Sequence, residues 1–283
     1  MFKRDKIPLF WWSEKVLMGK SLENYGDLLG KYLVEKISGR QAIFKHTKQK
    51  HWFDTGKVLV TIGSILAHVN KRCVVWGSGI ISKSVPVKNA TFLAVRGPQT
   101  RAFLLEKGYD VPEVYGDPAI LLPNYYKPKV EAIYTIGVIP HYSDYKMVKD
   151  WYHDNKNVTV IDLMTNNVEA TTGSILQCKQ IVSSSLHGII VAQAYGIPAV
   201  WQKFSDNLFG DDIKFQDYFE SVGIDSYQPE IIDQALDQNS IEMLLKKYPV
   251  LPNKTIVEGL QKGLLEAFPL EVRDKKHEVR STK

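Results

Sequence analysis

Residues 181–202 read IVSSSLHGIIVAQAYGIPAVWQ, a run without a formal charge. A bilayer span needs about 20 predominantly apolar residues. This run carries three serines, His187, two glutamines, two glycines and Pro198 instead. It predicts a short buried strand ending at Ser183, a helix opening at Leu186 and a second buried strand from Pro198. Strand, helix and strand without charge form the repeating unit of a parallel sheet covered on both faces.

The same alternation continues outward in both directions. Strands are predicted at 132–139 and 157–163, with helices at 144–152, 168–178 and 214–222. In the first half, strands are expected at 7–12, 57–63, 73–76, 91–96 and 113–115. Helices fall at 27–37, closed by Gly39, and at 98–107, opened by Pro98 and closed by Gly108, the ends that helices favour. The chain therefore reads as α/β. Residues 123–128 are polar and proline-flanked, so they predict a linker between domains at 1–126 and 127–270. A last helix is expected at 254–268, with an apolar stripe of Ile256, Leu260, Leu264 and Leu265. Residues 271–283 are a charged tail, expected to fray.

Composition narrows the function. The 283 residues hold 36 Lys and Arg against 31 Asp and Glu, a net charge of +5, with 44% hydrophobic and 24% charged residues. These are ordinary globular values, which exclude a disordered, collagenous or coiled-coil chain. Cys73 and Cys178 are too few for a disulfide framework, so a reducing compartment is expected. Residues 1–6 are charged without a following signal-type apolar stretch, which predicts a cytoplasmic protein. Mild positive charge without a basic block or a base-reading motif suits a small anionic substrate and not a nucleic acid.

Ligands of open parallel sheets bind beyond the carboxyl ends of the strands, where helix N-termini point outward. Polar residues and glycines concentrate at those junctions. They are Asn24-Tyr25-Gly26-Asp27, Gly63-Ser64, Trp76-Gly77-Ser78-Gly79, Arg96-Gly97-Pro98 with Arg101, Gly116-Asp117-Pro118, Pro140-His141 and Ser185-Leu186-His187-Gly188. Arg101 falls in the first turn of a helix, where the macrodipole disfavours a cation. Either an anion lies between Arg96 and Arg101, or Arg101 pairs with an acid such as Asp117. Ser184 or Ser185 is expected to cap the helix whose first turn carries His187. A cation there is disfavoured until an anion binds, which suits a group delivering a proton to an anionic substrate. Asp27 reads first as a helix start and Asp117 as a turn residue. Phe10, Trp11 and Trp12 read as strand packing. The sequence has no nucleophile elbow, dinucleotide glycine loop, Walker lysine loop or paired-histidine zinc motif, so no metal site is expected.

This ordered series, continued by Gly196-Ile197-Pro198 and by Lys214-Phe215 with Asp217-Tyr218, resembles the polysaccharide pyruvyl transferases, most closely the exopolysaccharide ketal-pyruvate branch. The resemblance implies a GT-B-like fold: two Rossmann-like domains facing a cleft, with a C-terminal helix crossing back. It implies phosphoenolpyruvate as donor substrate, no cofactor, and a hexose of a bacterial polysaccharide or undecaprenyl-linked oligosaccharide as acceptor, which becomes a cyclic ketal. Peripheral contact with the inner membrane face follows from such an acceptor. Many members carry Arg-Leu-His where this chain has Ser185-Leu186-His187, so Arg96 and Arg101, with Lys203 or Lys214, must supply the positive charge.

Phosphoenolpyruvate presents a carboxylate and a phosphate, which Arg forks and helix N-termini hold well. The expected donor residues are thus Arg96, Arg101, Ser185, Leu186, Gly188 and Ser64. Asn24, Tyr25, Ser78 and Asp117 are expected on the acceptor side. His187 is the expected general acid, and Asp27 or His141 orients or deprotonates a hydroxyl. Two other readings share the pattern: a GT-B glycosyltransferase using a nucleotide-sugar, and a non-catalytic saccharide-binding subunit.

Overall fold

Val58, Leu59 and Val60 are all buried, and so is every residue from Cys73 to Ser78. Strands lose both faces to the interior only when helices cover the sheet above and below, the usual setting of parallel strands. The structure is a computed structural model and describes residues 6–48, 56–207 and 210–269. The tail expected at 271–283 lies outside the described residues.

The first half contains β1 (Lys6–Phe10), α1 (Glu14–Met18), β2 (Glu23–Asn24), α2 (Tyr25–Ser38), β3 (Gln41–Phe44), β4 (Val58–Val60), β5 (Cys73–Ser78), β6 (Thr91–Val95), α3 (Pro98–Glu106) and α4 (Leu122–Tyr125). The second contains β7 (Tyr134–Ile139), α5 (Tyr145–Trp151), β8 (Val158–Val160), β9 (Met164–Thr165), α6 (Val168–Leu176), β10 (Cys178–Ser183), α7 (Leu186–Ala194), β11 (Ala199–Trp201), α8 (Ile213–Ser221), α9 (Gln238–Lys247) and α10 (Lys254–Ala267). Among the described residues one sheet runs β3-β1-β4-β5-β6 and the other β11-β10-β7-β8, each with parallel pairing throughout. A short antiparallel ribbon of β2 and β9 ties the halves together, and the Tyr25 amide donates to the Leu163 carbonyl at 2.8 Å.

The uncharged run at 181–202 is β10, α7 and β11. Leu186, Ile189, Ile190, Val191 and Ala192 are all buried, because α7 lies between its own sheet and the Pro118–Leu121 turn of the first half. A helix that is apolar on every side requires such a central position. One hydrophobic cluster consequently runs from Leu9 and Trp76 through α7 to Trp201 and Phe215.

α9 packs on the second sheet, and α10 returns to the first. On α10 the Leu264 carbonyl accepts from the Trp76 indole at 2.8 Å, and Phe268 stands edge-on to that ring at 4.9 Å. The strand expected at 113–115 is reduced to a single bridge, Tyr115 to Val95, and α1, β3, the β2–β9 ribbon and α9 have no counterpart in the sequence reading. All but α9 are five residues or shorter, too short to display a period. Part of the stretch expected as a linker forms α4. Tyr125 and Tyr126 pack on the core, and Tyr195 Oη donates to the Tyr126 carbonyl at 2.5 Å.

The firmest tie between distant segments is an ion pair with no solvent exposure on either side chain, Arg96 Nε to Asp217 Oδ2 at 3.0 Å. The other guanidinium nitrogens donate to Ser64 Oγ at 2.6 Å and to the Ile80 carbonyl at 2.8 Å. Asp217 also accepts from the Thr100 amide at 2.9 Å and its hydroxyl at 2.6 Å. Gly97 makes this possible, since a Cβ there would overlap the Asp217 carbonyl oxygen. Removing one partner of a buried pair strands the other's charge. Asp217→Ala should therefore cost about 3–5 kcal/mol of unfolding free energy in urea, and Arg96→Met with Asp217→Leu less than either single change. Additive losses in that cycle would show that the two groups do not act together.

Candidate functional site

The carboxyl ends of β1, β4 and β5 in one sheet, and of β7 and β10 in the other, open onto one cavity of about 510 Å³. This is where an open parallel sheet leaves backbone N–H groups free for ligands. Asn24 and Asp27 reach it from the start of α2, Ser185, Leu186 and His187 from the start of α7, and Lys214 from the first turn of α8.

Each group is held for a local reason. Asn24 Oδ1 accepts from the Gly26 amide at 2.9 Å and so caps α2. The imidazole of His187 then passes across the bare face of Gly26, where a Cβ would overlap Nδ1. Its other nitrogen, Nε2, faces Asp117 Oδ2 at 3.4 Å. Both atoms are buried and neither has a hydrogen-bond partner, so the pair is close without being aligned. Asp117 Oδ1 accepts from the Ala119 amide at 3.0 Å, which fixes the carboxylate behind the ring.

Ser185 occupies the N-cap position of α7, yet neither it nor Ser184 caps the helix as expected. Ser184 Oγ accepts from the His141 amide at 2.8 Å, and Ser183 Oγ accepts from the Ser185 amide at 2.9 Å. The first amides of α7, which have no partners within a helix, are thus left to a ligand beside the Ser185 hydroxyl.

Lys214 supplies the positive charge. Burial, with the charge of Arg96 nearby, brings its ammonium down to about 8, although Asp212 and Asp27 pull the other way. Among the described residues it has no ion-pair partner. Burial also pushes His141 down to about 4, with Lys214 adding to the effect, and His141 Nδ1 shares a hydrogen bond with Ser143 Oγ at 2.8 Å. Asp27 is pushed well up, first by burial and then by the carboxylates of Glu14 and Glu23, with Lys214 opposing.

Several expected site residues lie elsewhere. Arg96 is fully buried and does not line the cavity; its three guanidinium nitrogens turn to Asp217, Ser64 and the Ile80 carbonyl. Arg101 points away, donating to the Val111 carbonyl at 3.1 Å and lying 3.9 Å from Glu113, not near Asp117. Lys203 is paired with Asp212. Tyr25 is buried with its hydroxyl against Thr172, Ser78 donates to the Gly63 carbonyl at 2.7 Å, and Gly188 is packed beneath α7 against Ser183 and Ile139. Asp117 serves His187 and does not line the cavity. The cavity does gather His187, Asp27, His141, Ser64, Ser185, Leu186 and Asn24.

Lining residues that were not anticipated include Trp12, Glu14, His68 and Tyr142. Trp12 follows the end of β1, where alternation would place it against the core, but the strand stops at Phe10 and turns the indole outward. Nothing in the local pattern announces Glu14, which opens a five-residue helix capped by Ser13.

Among the described residues no helix is long and apolar enough to cross a membrane. The chain is similar to an uncharacterised protein, L143, of Acanthamoeba polyphaga mimivirus, at 35% identity over 215 residues, which cover 72% of this chain and 73% of that one. A family model described as polysaccharide pyruvyl transferase matches residues 24–201, from the cap of α2 to the last residue of β11. That match runs through most of the cavity's lining and well over half of the sequence, and it places this chain in the polysaccharide pyruvyl transferase family.

Proposed function

We propose that this protein transfers the pyruvyl group of phosphoenolpyruvate onto two hydroxyls of a hexose at a glycan end, forming a cyclic ketal. The two sheets then form the halves of a GT-B-like architecture that meet near residue 126, with the donor on the second half and the acceptor on the first. The observation that carries the reading is Lys214, a half-buried cation with no ion-pair partner among the described residues, lining the same cavity as the N-terminus of α7. Such an arrangement leaves charge unbalanced until an anion arrives.

The donor's phosphate and carboxylate are held by Lys214, the Ser185 hydroxyl and the first amides of α7, in place of an arginine at position 185. A proton goes to the methylene carbon, making it a methyl, while the first sugar hydroxyl bonds to the adjacent carbon and gives up its own proton. The second hydroxyl then displaces phosphate, which leaves with the remaining proton. His187 delivers the first proton from Nδ1, with Asp117 facing Nε2 to pair the imidazolium. Asp27, whose carboxyl binds protons more readily than usual, receives the proton of the attacking hydroxyl. His141, uncharged near neutral pH, accepts a hydrogen bond from an acceptor hydroxyl and so orients it.

The direct test is incubation with phosphoenolpyruvate and a set of galactosides, glucosides and N-acetylmannosaminides, reading phosphate and product mass. Phosphate matched by a sugar gaining one pyruvyl ketal is the expected result. Protection from unfolding by a nucleoside diphosphate, with none from phosphoenolpyruvate, would contradict it. In the active system His187→Ala should lower kcat about 10²–10⁴-fold. Gly26→Ala should approach the same loss without touching the ring's chemistry, because the methyl displaces the imidazole.

Lys214 sets a pH dependence whose sign is fixed. Its ammonium is charged below about 8 in the free protein, so donor affinity should be greatest there and fall as pH rises through that value. Because the bound donor favours the charged form, the loss in kcat should come at higher pH than the loss in kcat/KM. Lys214→Arg should keep its affinity into the alkaline range, and Lys214→Met should lose it at every pH. An alkaline fall that persists unchanged in Lys214→Arg would place the titration on another group.

A further inference from the structure

The cavity has a side that the donor chemistry does not use. Part of its lining is apolar, Ile65, Ala67, Ile81 and Val85, together with the rings of Trp12 and His68. Trp12 and His68 lie 5.4 Å apart at 42°. His68 in turn packs on Phe10 at 5.5 Å, and Phe10 on His46 at 5.4 Å, so a file of rings runs from the core of the first sheet to the cavity. Burial holds the His68 imidazole in its uncharged form, which keeps this wall apolar.

Two residues further on stands Glu14, a carboxylate only 5% exposed that also lines the cavity. Its Oε2 is 2.8 Å from Lys20 Nζ but makes no aligned hydrogen bond. The segment that carries both residues is pinned in place. Ser13 Oγ donates to Glu23 Oε1 at 2.6 Å and accepts from the Val16 amide at 3.1 Å. The Lys15 amide reaches the other oxygen of Glu23 at 3.4 Å.

We propose that Trp12 and Glu14 form the acceptor's subsite, with the C–H face of a pyranose lying on the Trp12 indole and a ring hydroxyl donating to the Glu14 carboxylate. Resting on the reading of the cavity given above, this names where the sugar sits and which residues select it. A pyranose has one face rich in C–H groups and an edge of hydroxyls. An indole fixed by its neighbours receives the face with little loss of conformational freedom, and a buried carboxylate accepts from the edge in a strong, charge-assisted bond. Asp27 and Asn24, on the adjacent wall, are then beside the hydroxyls that react. Trp12 and Glu14 bind and position the sugar without entering the proton transfers.

The test uses Trp12→Ala, Trp12→Phe and Glu14→Gln in the full chain. Acceptor KM should rise about tenfold or more in Trp12→Ala and Glu14→Gln, and in Trp12→Ala kcat and the donor KM should change less than about threefold, the pattern of an interaction made equally in ground and transition states. Trp12→Phe should recover most of the loss. Saturation transfer from protein to methyl β-galactopyranoside and methyl β-glucopyranoside, measured by NMR without any donor, should fall on protons of one sugar face and vanish in Trp12→Ala.

An unchanged acceptor KM in Trp12→Ala, with normal ketal formation, would overturn the subsite and leave the reaction standing. One-faced saturation transfer that depends on Trp12, in a protein releasing no phosphate from phosphoenolpyruvate, would support the subsite and sink the reaction. A sugar signal identical in wild type and Trp12→Ala would also overturn the subsite.

Discussion

The contact between Arg96 and Asp217 sets the geometry of everything above it. Taking both charges out of water costs several kcal/mol for each, and only close pairing with full hydrogen bonding offsets that. The residues that meet this demand come from four separate segments. Ser64 lies in the turn after β4, Ile80 follows β5, Thr100 sits in α3, and Asp217 arrives on α8 from 121 positions further along the chain. The pair therefore fastens α8 to the first sheet although its sequence neighbours belong to the second half. Lys214 is three residues before Asp217, about one turn of the same helix. Wherever the pair holds Asp217, it also holds the cation at the cavity.

The same pair shapes the electrostatics of the site. Arg96 gives nothing to the ligand directly, but its buried charge helps make the Lys214 ammonium easier to discharge. Glu14 and Glu23 act on Asp27 in the opposite sense, making its carboxyl harder to ionise. Lys214 and Asp27 act on each other within the cavity, and around both the surroundings disfavour the charged form. His187 lies against Gly26 of the first half, with Asp117 facing its Nε2.

The architecture was legible wherever a residue's role is local. Periodicity marks the strands on either side of α7, Gly39, Pro98 and Gly108 mark helix ends, and the polar residues at strand ends point to the cavity, whereas the cap of α2 is Asn24 and not Asp27. Partnership across the chain was not legible. Arg96 before Gly97-Pro98 looks like an anion holder until Asp217 is seen against it, and Arg101 looks misplaced until the Val111 carbonyl and Glu113 are found beside it. Trp12 shows the reverse error. It reads as one more strand aromatic because the end of β1 is decided by α1 turning away after Ser13, which no apolar pattern encodes. The absence of an arginine at Ser185 is visible in the sequence; that Lys214, and not Lys203, lines the cavity without an ion-pair partner among the described residues is visible only once Lys203 is found bound to Asp212.

A crystal structure of the protein soaked with phosphoenolpyruvate tests this account most directly. The donor should lie with one anionic group on Lys214 Nζ and another on the first amides of α7 and the Ser185 hydroxyl, while Arg96 remains closed on Asp217. A donor held by an Arg96 that has left Asp217, or bound outside this cavity, would contradict it.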